Sequence, residues 1–163
     1  MRHAIAAEPG TAAYPDDRLR PLTPKGKSKM VRIAKGMKAM KLSFDLMISS
    51  PYLRAKQTAE IVVKVFKAKK LLEFSDALIP AADPIECVNE LKRAHADARS
   101  IILIGHEPFL SHLTSLLWSG NTHLPLDFKK GGLCKLEIGT FKTGSCATLC
   151  WLLTPRQLIA IGS

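Results

Sequence analysis

The sequence predicts an α/β domain, a three-layer α/β/α sandwich with a mostly parallel central sheet and a C-terminal antiparallel hairpin. Three observations lead there. Short apolar runs that read as buried strands, Phe44–Ile48 and Ile101–Ile104, alternate with stretches whose apolar residues recur every three or four positions. Late in the chain this alternation gives way to two strand-like runs, Leu133–Ile138 and Ala147–Leu153, separated by Thr143-Gly144. The composition is globular: 163 residues, 47% hydrophobic and 23% charged, with no repeat and no low-complexity linker. That is enough chain for one core, so residues 1–163 read as one domain.

Taken in order, residues 10–22 carry Gly10, Pro15, Asp16, Asp17 and Pro21 and read as a loop. Thr23-Pro24 opens a helix, with a hydroxyl to cap free N–H groups and a proline whose fixed φ suits the first helical position. Met30, Ile33, Ala34, Met37 and Met40 then form its apolar face. Phe44–Ile48 is a buried strand ending in the loop Ser49-Ser50-Pro51, and a second helix covers about 52–66. Leu71–Ala77 reads as an edge strand, and Asp83-Pro84 starts a third helix with Ile85, Val88 and Leu91 inside. After Ile101–Ile104, a fourth helix runs from about Pro108 to Trp118.

One element is missing from this plan. Such a domain ordinarily begins with a buried strand, yet only Met1 precedes Arg2-His3. Either the first strand is a stub or the chain as given lacks its N-terminus. The expectation is a gap in the parallel sheet, with His3 on a fraying terminus.

The chain carries 24 Lys+Arg against 14 Asp+Glu, a net charge of +10 and a pI near 9.7. Such an excess favours anionic partners. Lysines between Lys25 and Lys41 alternate with apolar residues and read as the wet face of a helix, and Lys67, Lys69 and Lys70 read as a helix end. A nucleic-acid binder is therefore disfavoured, having neither aromatic interleaving nor a nucleic-acid motif. No apolar run is long enough to span a membrane, and MRHAIAAEPG is a poor secretory signal. Cys87, Cys134, Cys146 and Cys150 are too few for a disulfide framework and read as buried thiols of a cytoplasmic protein, with Cys146 and Cys150 on one strand face toward a helix layer. His95, His112 and His123 form no ligand cluster, so neither metal nor cofactor is expected.

Polar residues gather just past predicted strand ends, where open α/β sheets build their sites. These are Arg2-His3, the stretch Ser49–Ala59, and Gly105-His106-Glu107-Pro108. Arg2 and Arg54 suit a doubly charged phosphoryl group, because a planar guanidinium binds two oxygens at once. One neutral histidine can attack phosphorus while another donates to the equatorial oxygens. Singly, each residue has a plainer reading: Arg54 as a surface helix residue, His106 as a helix cap.

Together the motifs RHA at the start, RPLTPKG (Arg20–Gly26), SSPYLRAKQTAE (Ser49–Glu60) and GHEP (Gly105–Pro108) resemble the histidine phosphatase superfamily, and within it the SixA-type phosphohistidine phosphatases. KKGGLCKLE (Lys129–Glu137) resembles that group's late strand. The resemblance implies that His3 is the nucleophile, that Arg2 and Arg54 clamp the phosphoryl oxygens, and that His106 stabilises the transferring group. Arg20 and Ser50 are implied as further phosphate or substrate contacts. Glu107 helps orient the site or serves as a helix N-terminal acid. The stretch between the second and third helices is too short for a capping insertion. That implies an open pocket and a phosphorylated protein as substrate, such as a histidine phosphotransfer domain. A small phosphate ester, or a non-catalytic phospho-ligand-binding role, stands as the alternative. Nothing in the sequence specifies an oligomeric state.

Overall fold

The computed structural model describes residues 1–140 and 142–163. Helix α1 spans Pro24–Ala39, with the Thr23 hydroxyl accepting from Gly26 N at 2.9 Å. Its stripe of Met30, Ile33, Ala34 and Met37 is buried, while Lys25, Lys27, Lys35 and Lys38 are exposed. Strand β1 is Leu46–Ser49, displaced from the predicted Phe44–Ile48. Phe44 instead packs on Phe66, ring centroids 5.4 Å apart. Helix α2 is Leu53–Phe66, stopped by Lys67 in a left-handed conformation. Strand β2 is only Leu72–Phe74; a 3-10 turn over Asp76–Leu78 takes the rest of the predicted edge strand. Helix α3, Pro84–Ala94, is capped by Asp83, and strand β3 is Ile101–Ile104 as predicted. Helix α4 is Phe109–Ser119.

Strands β4, Leu133–Ile138, and β5, Ala147–Leu153, pair antiparallel as expected. A last helix, α5, Pro155–Ile161, was not foreseen. Thr154 and Gln157 close a capping box around its Pro155 start, a signal like that of Thr23-Pro24. The α5 helix packs on α1 because position 36 is glycine: a Cβ there would lie 1.7 Å from the Leu158 carbonyl oxygen.

The parallel strands lie in the order β2-β1-β3, with Met47 opposite Leu72 and Ile102. One core lies against α1, α2 and α5, around Met30, Met37, Val62, Ile102 and Leu158. The other lies against α3 and α4, around Ile48, Leu78, Val88, Phe109 and Leu113. These are the layers of an α/β/α sandwich. Strands β1 and β3 both lie between the two helix layers, and β1 is also interior to the sheet, which explains their apolar runs.

Residues Met1–His3 form a short stub beside β3, bridged at Arg2 and Gly105, and not a named strand. The Met1 ammonium donates to Leu103 O at 2.7 Å, Gly105 N donates to Met1 O at 3.1 Å, and His3 N donates to Gly105 O at 3.0 Å. On the other side Arg2 N donates to Gly132 O, and Gly131 N to His3 O. The expected fraying of His3 is therefore wrong: short as it is, the stub is bonded on both sides. The expected gap is real, since β3 and β4 belong to separate sheets.

The thiols also differ from expectation. Cys87 is buried, but Cys134 and Cys146 are only partly so and Cys150 is exposed. Cys146 lies just ahead of β5, and alternation along β5 turns Cys150 outward. Among the described residues no helix is long and apolar enough to cross a membrane, and no group of His, Cys, Asp and Glu could hold a metal.

Candidate active site

Three chain segments end at the C-terminal edge of the parallel strands and bring the predicted residues together. The stub carries Arg2 and His3, the loop after β1 carries Ser50 and leads to Arg54, and the turn after β3 carries His106. His3 and His106 face each other with ring centroids 5.1 Å apart and planes tilted by 54°. His3 is 6% exposed and His106 1%. His3 Nδ1 lies 2.7 Å from Ala4 O, and since a carbonyl only accepts, Nδ1 carries the proton and Nε2 the lone pair. His106 Nε2 lies 2.9 Å from the Ser50 hydroxyl, which also accepts from Tyr52 N at 3.3 Å.

The arginines are held by oxygen acceptors. Arg2 Nη1 donates to Phe128 O at 2.7 Å. Arg54 donates through Nη1 to Asp17 O at 2.7 Å and through Nη2 to Asp17 Oδ2 at 2.8 Å. Arg20 donates to Asp17 Oδ1 and to Ala7 O, each at 2.6 Å. Asp17 thus ties two site arginines to one loop. Three buried nitrogens at the site have no partner: Arg2 Nε, Arg54 Nε and His106 Nδ1. Unpartnered buried donors are costly in isolation, and an anion with several acceptor oxygens would offset that cost.

Burial dominates the electrostatics. It pushes the His3 pKa down to about 3, with Arg54, Arg2 and Lys130 lowering it further and the bond to Ala4 O opposing. Burial pushes His106 to about 2, helped by His3 and Arg54. Both rings are neutral near pH 7. Burial raises the Glu107 pKa against hydrogen bonds from Ser111. For Asp17 burial works upward, but hydrogen bonds from Arg20 and the charge of Arg54 outweigh it and hold the carboxyl below its ordinary value.

Some motif residues serve the frame. Thr58 accepts from Ala4 N at 3.0 Å and donates to Arg54 O at 2.7 Å, linking the residue after His3 to the turn that presents Arg54. Gln57 accepts from Leu22 N at 2.7 Å and so pins the RPLT segment to α2. Gly26 lets Ile5 approach, since a Cβ there would lie 2.0 Å from Ile5 O. Glu107 takes hydrogen bonds from the Ser111 amide and hydroxyl at the start of α4, the helix-end role open to it from sequence.

The sequence reading missed Asp17 and Tyr52. Asp17 belongs to a loop marked only by its turn residues, and nothing local points it at Arg54. Tyr52 sits edge-on to His106 at 5.2 Å and under the Arg54 guanidinium at 5.2 Å. Its signal was its place inside SSPYLRA, between the two groups it touches.

Fold and site define an α/β/α protein with a neutral histidine pair set among arginines at the sheet's C-terminal edge. The comparisons with known proteins agree. The histidine phosphatase superfamily (branch 1) matches residues 1–78. An uncharacterized protein of Picosynechococcus sp. is 34% identical over 141 residues, covering 85% of this chain and 83% of that protein. Phosphohistidine phosphatase SixA of Escherichia coli (strain K12) is 28% identical over 160 residues, covering 97% and 93%. The solved structure of the protein histidine phosphatase SixA complexed with tungstate superposes with a TM-score of 0.82 at 26% identity, over 97% of this chain and 96% of that one. The chain belongs to the histidine phosphatase superfamily, branch 1, and its fold is that of SixA.

Proposed function

We propose that this protein is a metal-independent phosphohistidine phosphatase, residues 1–163 acting as one domain, and that His3 is its nucleophile. The observation that carries the reading is the state of His3: neutral, its Nδ1–H engaged by Ala4 O, its Nε2 lone pair available beside a second neutral histidine. Nε2 attacks phosphorus, the Nε2–P bond forms, and the substrate's N–P bond breaks. The leaving imidazole departs with a proton on its other nitrogen. Water then attacks phosphorus, the Nε2–P bond breaks, and inorganic phosphate is released with His3 restored. Arg2, Arg54 and His106 donate to the phosphoryl oxygens as charge spreads over them. Ser50 positions His106 by holding its Nε2, and Arg20 supports the clamp through Asp17.

The leaving group favours phosphohistidine over an alkyl ester. Imidazole leaves readily, its conjugate acid having a pKa of about 6.5, whereas an alkoxide needs a positioned acid. The carboxyl nearest Arg54, that of Asp17, is held ionised by two arginines and is a poor proton donor. The segment between α2 and α3 forms two 3-10 turns and the short β2 and builds no capping helix, which leaves room for a protein-borne phosphate. The test is a panel of phosphohistidine protein, phosphoramidate and alkyl phosphates, with and without chelator, on wild type and His3→Ala. Phosphohistidine should turn over fastest, unaffected by chelator, and His3→Ala should lose phosphoryl release and the acid-labile phosphoenzyme. Faster turnover of an alkyl phosphate overturns the substrate class; activity surviving in His3→Ala overturns the nucleophile.

A further inference from the structure

At the β2 edge of the parallel sheet, a groove of about 670 Å3 lies between α2 and β2. Val63, Leu72 and Phe74 give it an apolar lining. Lys56, Lys64, Lys67 and Lys69 stand along it, against the single carboxylate of Glu60. The four lysines are exposed, and among the described residues none of them forms an ion pair. Strand β2 pairs only with β1. Ser75 N donates to Ser49 O, so Ser75 and Glu73 face β1, and Leu72 and Phe74 turn their N–H and C=O groups to the open edge. We propose, on the reading of the site given above, that this groove docks an acidic extended segment of the phosphorylated protein. Its carboxylates meet the lysines, and its alternate apolar side chains cover Val63, Leu72 and Phe74.

Position ties the groove to the site. Phe74 stands opposite Ser49 in the ladder, and the next residue, Ser50, places its hydroxyl 2.9 Å from His106 Nε2. Lys56 follows Arg54 by two positions on α2, and its Nζ lies 5.8 Å from the centroid of the Phe74 ring. The groove therefore begins beside the loop that carries the site. From Lys56 to Lys67 the helix covers about 16 Å, the length of about five residues of extended chain at ~3.3 Å each.

The lining selects the occupant. Four cations against one carboxylate attract an anion and speed its arrival. A row of phosphates, on a duplex or a membrane, would engage the lysines and leave the apolar lining and the strand edge idle. An acidic segment with apolar residues at alternate positions uses all three, because an added strand points every second side chain the same way. Phe74 is 46% exposed, so covering it removes a large apolar surface from water. Charges beside a strand edge deter chance pairing, and lysines deter least the segment that carries carboxylates.

The experiment has a binding arm and a turnover arm. In the first, fluorescence anisotropy follows an unphosphorylated peptide of alternating Asp/Glu and Leu/Val residues and its Asn/Gln counterpart. The acidic peptide should bind at least ~10-fold tighter than the neutral one, weaken with added salt, and lose at least ~10-fold in affinity for the Lys64→Glu/Lys67→Glu variant. Lys27→Glu/Lys35→Glu, which removes the same charge from α1, should keep the affinity within about twofold. In the second arm, the Lys64→Glu/Lys67→Glu variant should turn over phosphoramidate at the wild-type rate. Its kcat/KM for the acidic peptide ending in phosphohistidine should fall at least ~10-fold, through KM. Equal binding of the two peptides, or equal losses in the two variants, overturns the groove, as does an equal loss of phosphoramidate turnover. Duplex DNA or a phosphatidylserine vesicle bound more tightly than the acidic peptide overturns the occupant. If wild type binds the acidic peptide in the groove but turns over neither substrate, the phosphatase reading fails and the groove stands as an acidic-peptide site.

Discussion

The two buried histidines make stability depend on pH in a way that can be worked from the structure. The unfolded chain has histidines near 6.5, whereas folding pushes His3 to about 3 and His106 to about 2, burial being the main cause for each. The folded-state values are depressed, so below about pH 6.5 the unfolded chain takes up protons that the folded chain refuses. The stabilisation is fully present above 6.5 and drains as pH falls toward 3. Between pH 7.5 and pH 5 each ring loses about 1.5 decades of equilibrium constant, or about 2 kcal/mol, so the pair loses about 4 kcal/mol. Urea unfolding of wild type and of the His3→Asn/His106→Asn double variant, in buffers free of phosphate, isolates this contribution. All other titrating groups are common to both proteins. The stability difference between them should shift by about 4 kcal/mol in favour of the variant on going from pH 7.5 to pH 5, with wild type alone taking up about two extra protons on unfolding. Curves that stay parallel across this range would show that the rings are not held neutral by burial, and the argument for a neutral His3 would fail with them.

Two further outcomes follow from particular contacts. Arg54→Lys keeps a charge but loses the planar fork that meets Asp17 and the unpartnered Nε; kcat/KM for a phosphohistidine protein should fall at least ~100-fold with KM rising, and a fall under tenfold would remove Arg54 from the clamp. Gly36→Ala sets a Cβ 1.7 Å from Leu158 O, so α5 must lift from α1, at a cost of about 3 kcal/mol read by urea unfolding; an unchanged midpoint would mean the two helices are not clamped there.

The elements that could be read from sequence are those whose burial is uniform or strictly periodic. Ile101–Ile104 lies between the two helix layers and reads as one apolar run, and its bounds came out as expected. The α1 helix starts at a capped proline and keeps its buried stripe in register, so its start and its face were both legible. Where burial is partial, the pattern blurs. Phe44 looks like a strand residue because it is apolar, but it packs on Phe66 outside the ladder. Leu72–Phe74 lies at an edge, pairs only with β1 and ends in a 3-10 turn that alternation cannot reveal. Cys150 follows the β5 alternation, but which face of β5 meets water depends on how the hairpin seats against the rest of the chain.

At the site, the sequence by itself determined the chemistry on offer: Arg2, His3, Arg54 and His106 stand just past strand ends, and a strand's C-terminal edge is where polar side chains can converge without breaking a core. It also determined the start of α1, where Thr23 caps and Pro24 opens the helix; the contacts of Gly26, Gln57 and Thr58 with Ile5, Leu22 and Ala4 came only with the tertiary structure. Only the tertiary structure decided how those groups are held. The proton on His3 Nδ1 depends on where the Ala4 carbonyl points, and the depressed pKa values depend on burial from all sides. Asp17 reaches Arg54 across 37 positions of sequence, through a loop with no pattern of its own. The stub at Met1–His3 holds because Gly105, Gly131 and Gly132 bring backbone groups to it from two distant elements. Such contacts join residues far apart in the chain, and spacing along a sequence carries no record of them.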